Sequence, residues 1–81
     1  VTINYSLQGN FETKVYIFDL AGRLIWRQTY PAGSNGGKAG SNNPSWSGSD
    51  LAGTRVNSGV YVYQLVAEQR PIARGKIIVF N

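Results

Sequence analysis

Side chains able to do chemistry are few in this sequence and far apart. There is no histidine and no cysteine, so the commonest general base, the commonest metal ligand and every thiolate nucleophile are missing. The carboxylates are Glu12, Asp19, Asp50 and Glu68, scattered singly along the chain. A nucleophile would have to be a serine or threonine activated by one of them or by a lysine, and no spacing joins such a pair. Asp50 and Asn57 with neighbouring carbonyls outline a calcium loop, but with one carboxylate where a good site needs several, so a structural turn is the better reading. Residues 31–43 hold four glycines, yet the G-x-x-x-x-G-K-[ST] spacing of a phosphate cradle is absent and no helix follows. The expectation is a protein that is no enzyme, with no catalytic residues, no metal and no cofactor.

The chain of 81 residues carries a net charge of +4. That length allows one domain, residues 1–81, which buries only about 60% of its unfolded surface. Without a disulfide, stability must come from sheet pairing and aromatic packing. The cations Lys14, Arg23, Arg27, Lys38, Arg55, Arg70, Arg74 and Lys76 stand singly, and nucleic-acid binding wants them clustered on one face with aromatics between. The nearest approach is Arg70, Arg74 and Lys76, so no nucleic-acid partner is expected. No apolar run approaches the roughly 20 residues of a membrane helix. Nor is there an N-terminal signal pattern, and the sequence reads as a piece of a larger chain.

The positioning elements read as strands. Val1, Ile3, Tyr5 and Leu7 alternate with polar residues, and residues 13–19 place Val15 and Ile17 opposite Tyr16 and Phe18. Leu20-Ala21-Gly22 suits a hairpin loop, with residues 23–30 returning antiparallel. In that return Leu24, Trp26 and Tyr30 share one face, and Arg23, Ile25, Arg27 and Thr29 the other. Residues 31–43, lacking any large apolar side chain, read as a solvated, mobile connector. A short strand centred on Trp46 follows at residues 44–48, then turns at residues 49–53 and 57–59. Residues 60–67 are the longest alternating run and are expected to be central, with Tyr61, Tyr63 and Leu65 opposite Val60, Val62 and Val66. Residues 68–71 turn. Residues 72–80 form the last strand, Ile77 and Val79 opposing Lys76, Ile78 and Phe80. About seven short strands without a helix predict an all-β fold, an antiparallel immunoglobulin-like β-sandwich, with a small open barrel as the alternative.

Four segments then carry a resemblance. Val15-Tyr16-Ile17-Phe18-Asp19-Leu20-Ala21-Gly22-Arg23-Leu24-Ile25 resembles the "I-Y-D-x-x-G-R-x-V" hairpin of the C-terminal sorting domains of the type IX secretion system. Trp46-Ser47-Gly48-Ser49-Asp50-Leu51-Ala52-Gly53 and Ser58-Gly59-Val60-Tyr61-Val62-Tyr63 resemble that family's "W-D/N-G-x-D-x-x-G" and "G-x-Y-x-Y" segments. Lys76-Ile77-Ile78-Val79-Phe80 is similar to its basic-then-apolar terminal strand. Ser47 departs from the usual Asp or Asn, and the 31–43 connector is longer than is usual. The immunoglobulin-like domain of flagellar hook-capping proteins shares the Gly22, Trp46 and Gly59 grammar.

The resemblance implies a non-catalytic address. Outer-membrane components of the secretion machinery would recognise the domain in the periplasm and pass its parent protein to the cell surface or the medium. A sortase would then remove the domain, or it would be retained. The recognition residues this implies are Gly22, Arg23, Gly59, Tyr61, Arg74, Lys76, Ile77, Ile78, Val79 and Phe80, with Trp46, Gly48 and Gly53 structural. At a sheet edge the last strand would accept a partner's strand or a second copy of itself. Two rivals stand beside this: a structural or assembly module of hook-cap or spacer type, and a carbohydrate-binding appendage using exposed Trp26 or Trp46 as a stacking platform.

Overall fold

The computed structural model describes residues 1–80. Among them the chain forms six strands and no helix: β1 (Tyr5–Leu7), β2 (Thr13–Phe18), β3 (Leu24–Tyr30), β4 (Gly40–Asn42), β5 (Gly59–Ala67) and β6 (Arg70–Val79). All pairings are antiparallel. One sheet has the order β3-β2-β5-β6 and the other is the pair β1-β4.

The expected central strand is central: β5 lies between β2 and β6. Its alternation sends Tyr61, Leu65 and Ala67 inward, while Val60 lies exposed on the other face. From β2 the core receives Val15 and Ile17, and from β6 Ile77 and Val79, each at most 7% exposed. Ile3 and Trp46, from the segments facing this sheet, complete the same apolar cluster. Gly75 sits where a side chain would collide. A Cβ there would lie 2.5 Å from the ring of Tyr63, opposite it in the register, so that ring occupies the space.

Several strand boundaries differ from the sequence pattern, each for a local reason. The strand expected around Trp46 is reduced to bridges, Thr2 with Ser45 and Ser49 with Arg55. The Thr2–Ser45 bridge continues the register of the β1–β4 ladder, which begins at Tyr5–Asn42. Pro44 interrupts the ladder because it has no amide to donate, although its carbonyl still accepts from Ile3 at 2.9 Å. In β3 a bulge shifts the pairing between Ile17–Trp26 and Phe18–Leu24. Trp26 and Tyr30 face the core as their alternation requires, but the bulge also packs Ile25 against it. Leu24, opposite Phe18, goes to the outer face with Arg27 and Thr29.

The β5–β6 turn is tighter than expected. Ala67 pairs directly with Arg70, leaving Glu68 and Gln69 as a two-residue loop. Both have positive φ, 52° and 64°, the conformation of a type I′ hairpin usually given to Asn-Gly. Pro71 is therefore inside β6, where an edge strand tolerates it.

Residues 31–43 are a hydrogen-bonded substructure instead of a bare connector. Asn42 is 2% exposed. Its Oδ1 accepts from the amides of Gly36 (2.8 Å) and Lys38 (3.2 Å), and its Nδ2 donates to the carbonyls of Lys38 (2.9 Å) and Gly40 (3.1 Å). The Tyr5 hydroxyl donates to the Gly36 carbonyl at 2.7 Å, and the Ala39 amide to Asn10 Oδ1 at 2.8 Å. Polar side chains supply here the order that apolar burial does not.

Candidate recognition surface

The segments singled out in the sequence meet at one end of the four-stranded sheet, where β2 finishes, β5 begins and β6 finishes. Gly22 and Arg23 form the β2–β3 turn. Gly22 has φ of 87° with open space around it, a conformation that glycine takes without steric penalty. Arg23 is held by its own turn: its amide donates to Asp19 Oδ1 at 2.8 Å and its Nε to Asp19 Oδ2 at 3.2 Å. Gly59 opens β5 opposite Val79 with φ of 157°.

Tyr61 and Trp46 lie inside. The Trp46 ring is 1% exposed, stands edge-on to Tyr61 with centroids 6.0 Å apart, and donates from Nε1 to the Ser49 carbonyl at 2.8 Å. The Tyr61 hydroxyl donates to the Asn57 carbonyl at 2.7 Å. Trp26 tilts against Trp46 at 6.1 Å and packs on the core. With Trp46 enclosed and Trp26 turned inward, the tryptophans form no exposed stacking platform, and that rival reading falls. Gly48 is buried with φ of 82° and Gly53 has φ of 86°. The turn between them is closed by Asp50, whose Oδ1 accepts from the amides of Ala52 (3.0 Å) and Thr54 (2.9 Å).

The last strand divides cleanly. Ile77 and Val79 anchor it in the core, while Arg74, Lys76 and Ile78 point away from it and are exposed. Ile78 is 61% exposed and Phe80, beyond the strand, 87%. Val60 stands directly opposite Ile78, and Leu20 lies exposed in the β2–β3 turn at the same end of the sheet. An apolar patch therefore flanks the end of β6.

The two edges of the sheet differ. On β3 the Ile25 carbonyl accepts from the Leu51 amide at 3.0 Å, so the 49–55 turn covers part of that edge. Along β6 no main-chain hydrogen bond arrives from outside the sheet among the described residues. The unpaired groups of a ten-residue strand are thus presented outward.

One arrangement escapes any reading of the sequence alone. Register places Arg27 opposite Tyr16, Tyr16 opposite Gln64 and Gln64 opposite Arg74. The neighbouring row is Leu24, Phe18, Val62 and Lys76. Cations from the two edge strands, β3 and β6, thereby share one face. The signal was present only as alternation in each strand and became visible once strand order fixed the rows.

Compared with known proteins, no protein-family model, curated protein or solved structure matches the chain. The likeness to sorting domains therefore rests on its motifs, and the geometry above bears the functional argument. No group of three or more acidic side chains able to hold a metal ion forms among the described residues. Among the described residues no helix is long and apolar enough to cross a membrane.

Proposed function

We propose that this chain is an immunoglobulin-like β-sandwich acting as a secretion address, read by outer-membrane components of a type IX secretion system. The observation that carries the reading is the open β6 edge, with Ile77 and Val79 locked in the core and Arg74, Lys76 and Ile78 turned outward. A recognition strand needs that division: its inner residues hold it rigid while its outer residues and free main chain meet the partner. The domain itself performs no catalysis in this reading. A sortase acts on the parent protein after passage, or the domain stays at the surface. Gly22 and Gly59 shape the turns beside the patch, and Tyr61 and Trp46 build the core behind it.

The test is to append residues 1–81 to a periplasmic reporter in a host that has the apparatus, and to assay the reporter at the cell surface. Deleting the end of β6 would remove Ile77 and Val79 from the core, so substitutions at outward positions are the informative ones. Lys76→Glu with Ile78→Asp is expected to abolish display while the domain melts as before. Display that survives this pair, or that persists without the apparatus, overturns the reading. A folded domain retained in the periplasm would instead favour a structural or assembly role of hook-cap type.

A further inference from the structure

The outer face of the four-stranded sheet has no covering layer, and its charges are unbalanced. Arg27, Arg74 and Lys76 lie on it with Tyr16, Phe18, Val62 and Gln64 between them. Lys14 stands two residues before Tyr16 on the same strand face, and a depression of about 280 Å³ gathers Lys14, Tyr16, Arg27 and Thr29. No carboxylate stands in the rows that carry Arg27, Arg74 and Lys76. Asp19 is engaged by Arg23, and Asp50 caps its own turn. Glu12 and Glu68 line a depression together with Lys14 at the β5–β6 turn end. Among the described residues the ion pair present is Arg23–Asp19, which leaves Arg27, Arg74 and Lys76 without carboxylate partners.

We propose that this face binds an acidic polysaccharide that crosses the strands, with Arg27 and Arg74 taking its anionic groups and Tyr16 and Gln64 taking a sugar between them. Arg27 and Arg74 stand on the two edge strands of the same row, three strand spacings apart, or roughly 14 Å. Guanidinium groups pair bidentately with carboxylates or phosphates. Between them the row offers the phenol ring of Tyr16 and the amide of Gln64. Neither the Tyr16 hydroxyl nor the Gln64 amide makes a hydrogen bond among the described residues, so both remain for sugar hydroxyls. Tyr16 and Phe18 stack at 6.4 Å and 22°, which gives the face a continuous apolar strip for the C–H side of a sugar ring.

Other polyanions fit the face less well. A peptide gains its hold on a sheet from main-chain hydrogen bonds, which an edge offers and a face does not, since the ladders consume them. A single-stranded nucleic acid gains its hold by stacking successive bases on successive rings. Each cross-strand row here has one ring. The patch shares Arg74 and Lys76 with the export surface, but Arg27 on the far edge belongs to it alone, and it is assayed by binding in solution, so the two can fail independently.

Hexagalacturonate serves as the probe, followed by isothermal titration and by amide NMR shifts. Maltohexaose, a thymidine hexanucleotide and hexaglutamate serve as comparisons. The expected result is saturable hexagalacturonate binding with shifts centred on Tyr16, Arg27, Gln64 and Arg74, weakening as salt rises from about 50 to about 200 mM. Arg27→Gln with Arg74→Gln, both at exposed positions, should melt like the parent and bind at least about tenfold more weakly. The proposal is overturned by absent binding at millimolar probe, by equal affinity for maltohexaose, or by an unchanged double variant. Tighter binding of the nucleotide or of hexaglutamate overturns it too and reassigns the face to that class.

Discussion

Replacing Asn42 by alanine tests whether the 31–43 substructure is a working part of the fold. Four hydrogen bonds disappear together. The Lys38 and Gly40 positions are exposed, so their freed groups return to water at small net cost. Gly36 is buried, and its amide, stripped of Oδ1, stays desolvated at a cost of about 2 kcal/mol. Adding the net loss of the remaining bonds gives about 3 kcal/mol. A chain of 81 residues has about 4–12 kcal/mol in all, so the variant loses a quarter or more of its stability. The melting temperature should fall by about 15 °C for a domain of this size. Amide exchange should accelerate at Gly36 and Lys38 more than at Ala39, whose acceptor is Asn10. Asn42→Asp keeps the acceptor but buries a carboxylate, so its stability should fall as pH rises through the ionisation of that group. A melting shift under about 4 °C for Asn42→Ala, with unchanged exchange at Gly36, would refute the reasoning and restore the loose connector.

Three further outcomes follow from single features. Glu68→Asn with Gln69→Gly relieves the two positive-φ positions and should stabilise the domain by about 1 kcal/mol, read as a higher urea midpoint; a lower midpoint would show that the native pair makes compensating contacts. Gly75→Ala should cost about 1–2 kcal/mol because the Tyr63 ring must move, and the loss should shrink in a Tyr63→Leu background. Burial, helped by neighbouring Tyr30, raises the Tyr5 pKa from 10.0 to about 12. Its folded value lies above its unfolded one, so its contribution is intact below pH 10.0 and is lost as pH rises through about 12. Tyr5→Phe should flatten stability over that window, and identical alkaline profiles for variant and parent would remove Tyr5 as the cause.

Strands were legible wherever alternation was strong and uninterrupted. Residues 60–67 read as central because both faces are apolar, and period two alone set Ile77 and Val79 apart from Lys76 and Ile78. Which side was buried, and that Ile77 and Val79 were core and not contact residues, came only from the fold. The pattern misled where one residue altered the ladder. A bulge beside Phe18 exchanged the sides of Leu24 and Ile25, and periodicity does not announce an inserted residue. Pro44 broke what would have been a continuous pairing of the first segment with the Trp46 segment. The 31–43 segment looked too polar to order itself, because hydrophobic bookkeeping does not count a buried amide that satisfies four main-chain groups. Glu68 and Gln69 have no turn signature, so the turn was expected to be longer than it is. The basic rows were invisible for a different reason: they are products of strand order, which local sequence does not encode.

The two surfaces left free by the fold meet on one strand. The inner face of the four-stranded sheet is committed to the core, and the β3 edge is partly covered by the turn that follows Trp46. What remains open is the outer face and the β6 edge. Arg74 and Lys76 belong to both, since they project from the edge strand onto the outer face. A partner strand added at β6 would bring its own side chains alongside them and supply the carboxylates that the domain does not. A polysaccharide held at Arg74 would meet the same side chain from the face. The two occupants thus draw on one pair of cations, and Arg27 separates them. It lies on the far edge of the sheet, so its removal should weaken the polysaccharide and leave recognition at β6 untouched.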